Sequence, residues 1–338
     1  GNLRVLPNRT YLAGLLLVGL LGVGSLALNG RRKGPRSDRL FGLIPLDARL
    51  ELTQYRPVQA LFKSRWFPLV PVLGTAAVFV VILVSAWRGG SSAGNLNFGV
   101  MSVWVLWWVL LMTVFVPVVG RAWCMVCPFP LPGDWLQRGK LVGVGTQKPW
   151  GLNRKWPKQF RNLWPVTATF TASTLFLGFF TVTPLATFVL LSVMLLAAVV
   201  ISLVFEKRTF CLYACPVSGF QGLYANFSAQ EVRGKDPEIC KAHTPKTCYV
   251  GNEKGYGCPW MELPFDLNRN TYCGMCLECF KTCPFDNMAF NLRPPGTDIL
   301  VNDKRGLDEA WKGFIMLGIA VMFFTAMMGP WGWLKDMV

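Results

Sequence analysis

The sequence predicts an α-helical membrane protein. It has about six transmembrane helices, a pseudo-repeat of two hairpins, and a small cysteine-rich module on the cytoplasmic side. Three observations carry this expectation. Long apolar stretches recur through a chain that is 52% hydrophobic and only 15% charged. The basic residues fall in alternate loops. The 11 cysteines divide into four at the ends of apolar stretches and seven between positions 240 and 283.

A helix needs about 20 apolar residues to cross a bilayer core. Six stretches meet that length: 11–29, 67–87, 98–120, 163–183, 185–205 and 313–334, of which 163–183 is polar in its middle. Of 34 Lys and Arg residues, nine lie in 30–66, eight in 121–162 and thirteen in 206–312. The positive-inside rule then assigns these three segments to the cytoplasm and both ends to the outside. Trp66, Trp87, Trp164, Trp311 and Trp331 fall near span ends, as interfacial aromatic belts do. The net charge of +16 therefore reads as topology, with anionic headgroups as secondary contacts, rather than as nucleic-acid binding. Four segments follow: 1–66, a first transmembrane helix and basic loop; 67–206, two hairpins; 207–311, the cytoplasmic module; and 312–338, a final transmembrane helix.

Within the module, Cys273–Pro284 reads "CGMCLECFKTCP", spaced C-x2-C-x2-C-x3-C-P. This is the ligand run of bacterial ferredoxins, whereas a zinc ribbon wants paired C-x2-C knuckles. Upstream stand Cys240, Cys248 and Cys258, the last followed by Pro259. In two-cluster modules the cysteine before proline crosses to the other cluster. Cys273, Cys276, Cys279 and Cys258 are thus expected to hold one [4Fe–4S] cluster. Cys240, Cys248 and Cys283 would hold a second, one ligand short. The residues leave three completions open: a three-cysteine [3Fe–4S] centre, a non-cysteine ligand, or a membrane-edge cysteine such as Cys215. The non-cysteine candidates are His243, the one histidine in the chain, and less favourably Asp236 or Glu238. The plainer reading of Cys240 and Cys248 is a disulfide or free thiols.

Two further stretches match each other: "PVVGRAWCMVCP" over 117–128 and "SLVFEKRTFCLYACP" over 202–216. Each follows the second helix of a hairpin and runs Arg, aromatic, cysteine pair, proline. The pairs are Cys124 with Cys127 and Cys211 with Cys215. Hairpins packed side by side would bring the four together at the cytoplasmic membrane edge. A metal centre, a redox-active thiol pair and a structural role all remain open for them.

Hairpins ending in such pairs and followed by a ferredoxin-type module, with "FCLYACP" and "CGMCLECFKTCP" as the most specific parts, resemble the membrane polyferredoxins of the NapH and NosR type. The resemblance spans about residues 67–334. It implies Cys273, Cys276, Cys279 and Cys283 as cluster ligands and Cys211 with Cys215 as a membrane-edge pair. The first pair departs from the family's C-x3-C-P spacing. The expected function is single-electron transfer between cytoplasmic 4Fe-4S clusters and membrane quinone or partner redox subunits, as an electron-transfer subunit of an oxidoreductase. The basic loops suit an acidic ferredoxin as partner. Trp104, Trp107 and Trp108 share a helix face where a quinone could pack, though helix packing explains them more simply. Two other readings stay open: a factor supplying electrons or metal to a partner enzyme, and a thiol–disulfide sensor.

Overall fold

A computed structural model describes residues 39–40, 44–89, 94–140, 150–301 and 306–327. The expected first span, 11–29, lies outside them. The chain divides into two compact units, 1–45 and 46–338. In the first, β1 (Arg39–Leu40) pairs antiparallel with β2 (Ile44–Pro45).

The second unit opens with β3 (Leu50–Glu51) and α1 (Arg56–Lys63). Then come the apolar α2 (Trp66–Gly89) and α3 (Phe98–Val119). Asn97 starts α3 by accepting a hydrogen bond from the Val100 N–H at 3.1 Å. Gly120, at φ 62°, ends it in a conformation that suits glycine. Parts of α3, Met101–Trp107 and Leu111–Phe115, are π-helical. Gly99 lets α2 and α3 approach closely, since a Cβ there would stand 2.7 Å from the Ile82 carbonyl.

Short helices α4 (Ala122–Val126) and α5 (Leu131–Arg138) follow. The stretch 163–183 is helical but divided into α6 (Trp164–Leu175) and α7 (Leu177–Val182). Its polar middle is satisfied internally. Thr167, Thr171 and Thr174 each donate to the carbonyl four residues back, at 2.7–2.9 Å. Helix α8 (Pro184–Val204) starts with proline at its first position, where no N–H is missed. Among the described residues, three helices, α2, α3 and α8, are long and apolar enough to cross a membrane.

Beyond α8 lie a π-helical turn, Phe210–Ala214, then α9 (Pro216–Ala225), β4 (Gln230–Gly234) and α10 (Pro237–Ala242). Next are α11 (Glu278–Thr282), β5 (Met288–Leu292) and α12 (Leu307–Met327). β5 is the middle of a three-stranded antiparallel sheet, ordered β3-β5-β4. The sheet therefore draws residues 50–51 to the cysteine-rich part of the chain, pairing Leu50 with Leu292 and Glu51 with Asn291. Against it packs a core of Val232, Met275, Leu277, Phe280, Met288 and Phe290, which Phe62 of α1 joins.

Candidate metal centres

The run 273–284 is shaped by two residues in the left-handed region, Met275 (φ 51°) and Leu277 (φ 62°). Non-glycine residues there cost on the order of 1 kcal/mol each. The turns aim backbone N–H groups at sulfur: that of Met275 at Cys273 and that of Glu278 at Cys276. A buried polar network fixes the approach to the run. Asp298 accepts from the Asn270 N–H (2.8 Å) and from Arg293 (2.7 Å), and Arg293 also reaches Glu231 (2.9 Å).

The structure brings the cysteines into three groups. Cys258, Cys273, Cys276 and Cys279 line one cavity, walled otherwise mainly by apolar side chains such as Val232 and Trp260. Burial pushes these thiols up, Cys276 to about 11, and mutual proximity pushes them further: Cys279 feels Cys276, Cys273 and Cys258. The Glu262 N–H stands 3.4 Å from the Cys258 sulfur.

Cys240, Cys248 and Cys283 line a second cavity with His243, whose ring meets Phe285 edge-on at 5.1 Å. Asn287 serves two of these sulfurs, its N–H to Cys283 at 3.3 Å and its side-chain amide to Cys240 at 3.2 Å. The other candidate ligands are engaged. Asp236 caps α10 through the Glu238 N–H (2.8 Å), and Glu238 pairs with Lys241 (2.8 Å). The second group also borders the first, because Cys248 acts on Cys279.

Cys124, Cys127, Cys211 and Cys215 form the third group, at the ends of α3 and α8. Burial pushes Cys215 to about 11; the N–H groups of Ser218 and Val217 pull it back, and Cys124 pushes it up. Burial likewise raises Cys127, with the Phe129 N–H opposing and Cys215 and Cys124 adding. It raises Cys211, with Cys215, Cys127 and Cys124 all contributing. The Cys124 thiol donates to Gln221 Oε1 at 2.8 Å. Cys215 therefore stands with the third group, not with the second one.

Two arginines link the third group to the first. Each precedes the first cysteine of its repeat by three residues. Arg208 lies between Cys211 and Cys276, bonds the Cys124 carbonyl at 3.4 Å, and is held by Asp134 at 2.6 Å. Burial would lift the Asp134 carboxyl, but Arg138 and Arg208 hold it below the usual range. Arg121 is 2% exposed; its guanidinium lies 4.2 Å over the Trp260 ring and donates to Ser218 and to the Thr271 carbonyl. Its charge lowers both the Cys215 and the Cys273 thiols. The sequence shows these arginines in its repeat, but not that they span two groups.

Among the described residues, no three Cys, His, Asp or Glu side chains stand close enough to share one metal ion. A tetrahedral zinc draws thiolates onto bonds of about 2.3 Å. A cubane of four irons and four sulfides, with thiolates at its corners, spreads them wider. Soft thiols around an enclosed space, each group supplied with N–H donors, fit an iron–sulfur cluster.

The chain matches the family model of the 4Fe-4S binding domain Fer4_5 over residues 100–157 and 185–233. Each matched segment contains one Arg–aromatic–cysteine-pair repeat, so the match falls on the third group and not on the run 273–284. It supports a ferredoxin-type iron–sulfur protein that binds a 4Fe-4S cluster. No curated protein and no solved structure matches the chain.

Proposed function

We propose that the chain is a membrane-bound iron–sulfur electron-transfer protein of the NapH/NosR type, working between cytoplasmic clusters and membrane quinone or partner redox subunits. The observation that carries this reading is the succession of three cysteine groups: 240/248/283, then 258/273/276/279, then 124/127/211/215 at the ends of α3 and α8. A cluster, when bound, supplies one-electron transfer without bond chemistry.

The chain's own residues do the rest. Cys273, Cys276 and Cys279 of the twelve-residue run, with Cys258, hold the first cluster. Cys240, Cys248 and Cys283 hold the second, with His243 lining the same space. The four repeat cysteines hold a third. Burial shields the first and third groups from water more than the second, which strengthens the pull of nearby N–H dipoles on their sulfurs. Arg121 and Arg208 place positive charge between the first and third groups, where thiolate-ligated clusters would otherwise repel. The basic loops support a position for the module on the cytoplasmic face of an inner membrane.

The quinone end of the reading rests on a cavity of about 600 Å³ between α2, α3 and α8, almost wholly apolar and lined by Trp104, Trp107 and Trp108. The Trp107 indole N–H is buried there without a partner among the described residues. A carbonyl oxygen would satisfy it. The Trp107 ring lies 5.4 Å from that of Trp123, the neighbour of Cys124 in the chain. Oxidation of a quinol analogue by the loaded protein in nanodiscs tests the reading. We expect turnover that Trp107→Phe slows; loaded protein that neither oxidises nor reduces any quinone would remove it.

A further inference from the structure

Cys127 of the third group and Cys276 of the first also border a further cavity, of about 80 Å³, distinct from the two cysteine-lined cavities. Five cationic side chains line it, those of Arg65, Arg138, Lys140, Arg208 and Lys281, against two carboxylates, Asp134 and Glu278. Both carboxylates are committed. Asp134 is held by Arg208 at 2.6 Å and approached by Arg138 at 3.5 Å. Glu278 takes Lys281 at 2.9 Å and the Tyr256 N–H at 3.0 Å.

Two donors remain unused. Nη2 of Arg65 and the phenol oxygen of Tyr256 are both buried without a hydrogen-bond partner among the described residues. They belong to one cluster, since the Tyr256 ring has the Arg65 guanidinium carbon at 5.2 Å and that of Arg138 at 3.9 Å. Leaving a buried donor unpaired costs roughly 1–3 kcal/mol, and more when it is charged, so a guanidinium N–H and a phenol facing one small cationic space ask for an anion.

We infer that this cavity binds a phosphate oxyanion, held by Arg65, Arg138 and the Tyr256 hydroxyl. Several features select that chemistry. A guanidinium offers a planar fork of N–H donors that suits phosphate, and a phenol adds a neutral donor. The cavity has the scale of one phosphoryl group, not of a nucleotide. Its location allows two sources. Arg65 immediately precedes α2, whose first residue, Trp66, is exposed, and Pro68, Leu69 and Val72 of α2 share the lining. The space thus lies where an apolar helix begins, within reach of a lipid headgroup and of free phosphate. Basic pockets at the ends of membrane helices take anionic headgroups in this way. The inference stands apart from the redox reading, because none of Arg65, Arg138 and Tyr256 is placed among the cluster-holding residues.

The test uses the full chain, loaded with iron and sulfide, in phosphatidylcholine nanodiscs. Calorimetric titration with inorganic phosphate should show one site. Tyr256→Phe, which keeps the ring over Arg138, and Arg65→Gln should each weaken it about tenfold or more with iron content unchanged. In discs of mixed phosphatidylcholine and phosphatidylglycerol, native mass spectrometry should show retained phosphatidylglycerol if the source is a headgroup, and the same variants should lose it. Binding of phosphate alone assigns a soluble ligand, and lipid retention alone assigns a headgroup. No binding of either, or binding that both variants leave intact, overturns the site.

Discussion

Arg208 and Asp134 form a buried ion pair, Nη2 to Oδ2 at 2.6 Å, at the seam between the two repeat cysteines of α8's end and the ferredoxin-type run. Both side chains are largely shielded, at 12% and 10% exposure. Arg208→Gln should therefore leave Asp134 with only the more distant Arg138, at 3.5 Å, at a cost of up to roughly 3–5 kcal/mol. It should also lower the reduction potential of clusters on both sides, because a positive charge that favours the reduced state is lost. Thermal unfolding and a redox titration followed by EPR would check the two effects. Because the Asp134 carboxyl is held below 3.8, the pair's stabilisation is present above that value and is lost only as pH falls below it. Wild-type stability should show no loss from this pair between pH 7 and pH 5.

Gly274 separates Cys273 from Met275, and a Cβ there would stand 1.8 Å from the Trp260 indole nitrogen. Trp260 is 1% exposed, so it can move only by pushing into its neighbours. Gly274→Ala should displace it from Arg121 and open the first cavity. We expect loss of the iron that this cavity binds, measured per chain, alongside retained helical circular dichroism.

Cys258→Ala tests the crossed ligation. The thiol shares a cavity with Cys273, Cys276 and Cys279, although it lies fifteen residues upstream of Cys273. The variant should lose the [4Fe–4S] signal or convert it to a three-iron form, as should Cys276→Ala. An unchanged EPR spectrum for Cys258→Ala would return Cys258 to a structural role.

Glu262 gives a pH dependence of opposite sign to Asp134. Burial, with Asp266 adding, raises its carboxyl from 4.5 to about 7. The folded chain then binds more protons than the unfolded one between those values. Stability is lost as pH rises from about 4.5 and levels off above about 7. Glu262→Gln should flatten that slope and gain up to roughly 3 kcal/mol at pH 8. Denaturation midpoints across that range would show it, and an unchanged slope would mean that Glu262 is solvated.

Much of this was legible in the sequence because it rests on spacing. Apolar stretches long enough to span a bilayer gave α2, α3 and α8, and the matched Arg–aromatic–cysteine segments lie where two of them end. Other features depend on contacts that no local pattern records. Leu50 pairs with Leu292 across most of the chain, and two residues are too short a strand to announce themselves. The stretch 163–183 reads as one apolar run, but its hydroxyls bond back to their own helix and the run breaks at Phe176. Arg65 and Tyr256 are ordinary residues in sequence; only folding leaves their donors facing one cavity.

On the reading proposed above, the four repeat cysteines hold a cluster of their own at the membrane edge, in line with the two in the module. The most direct test is iron and sulfide per chain, with low-temperature EPR, for the wild type and for the Cys124→Ala, Cys211→Ala double variant. The account predicts that the variant loses one cluster's iron and one EPR component and keeps the signals of the other two. A variant that retains all its iron and an unaltered spectrum would contradict it.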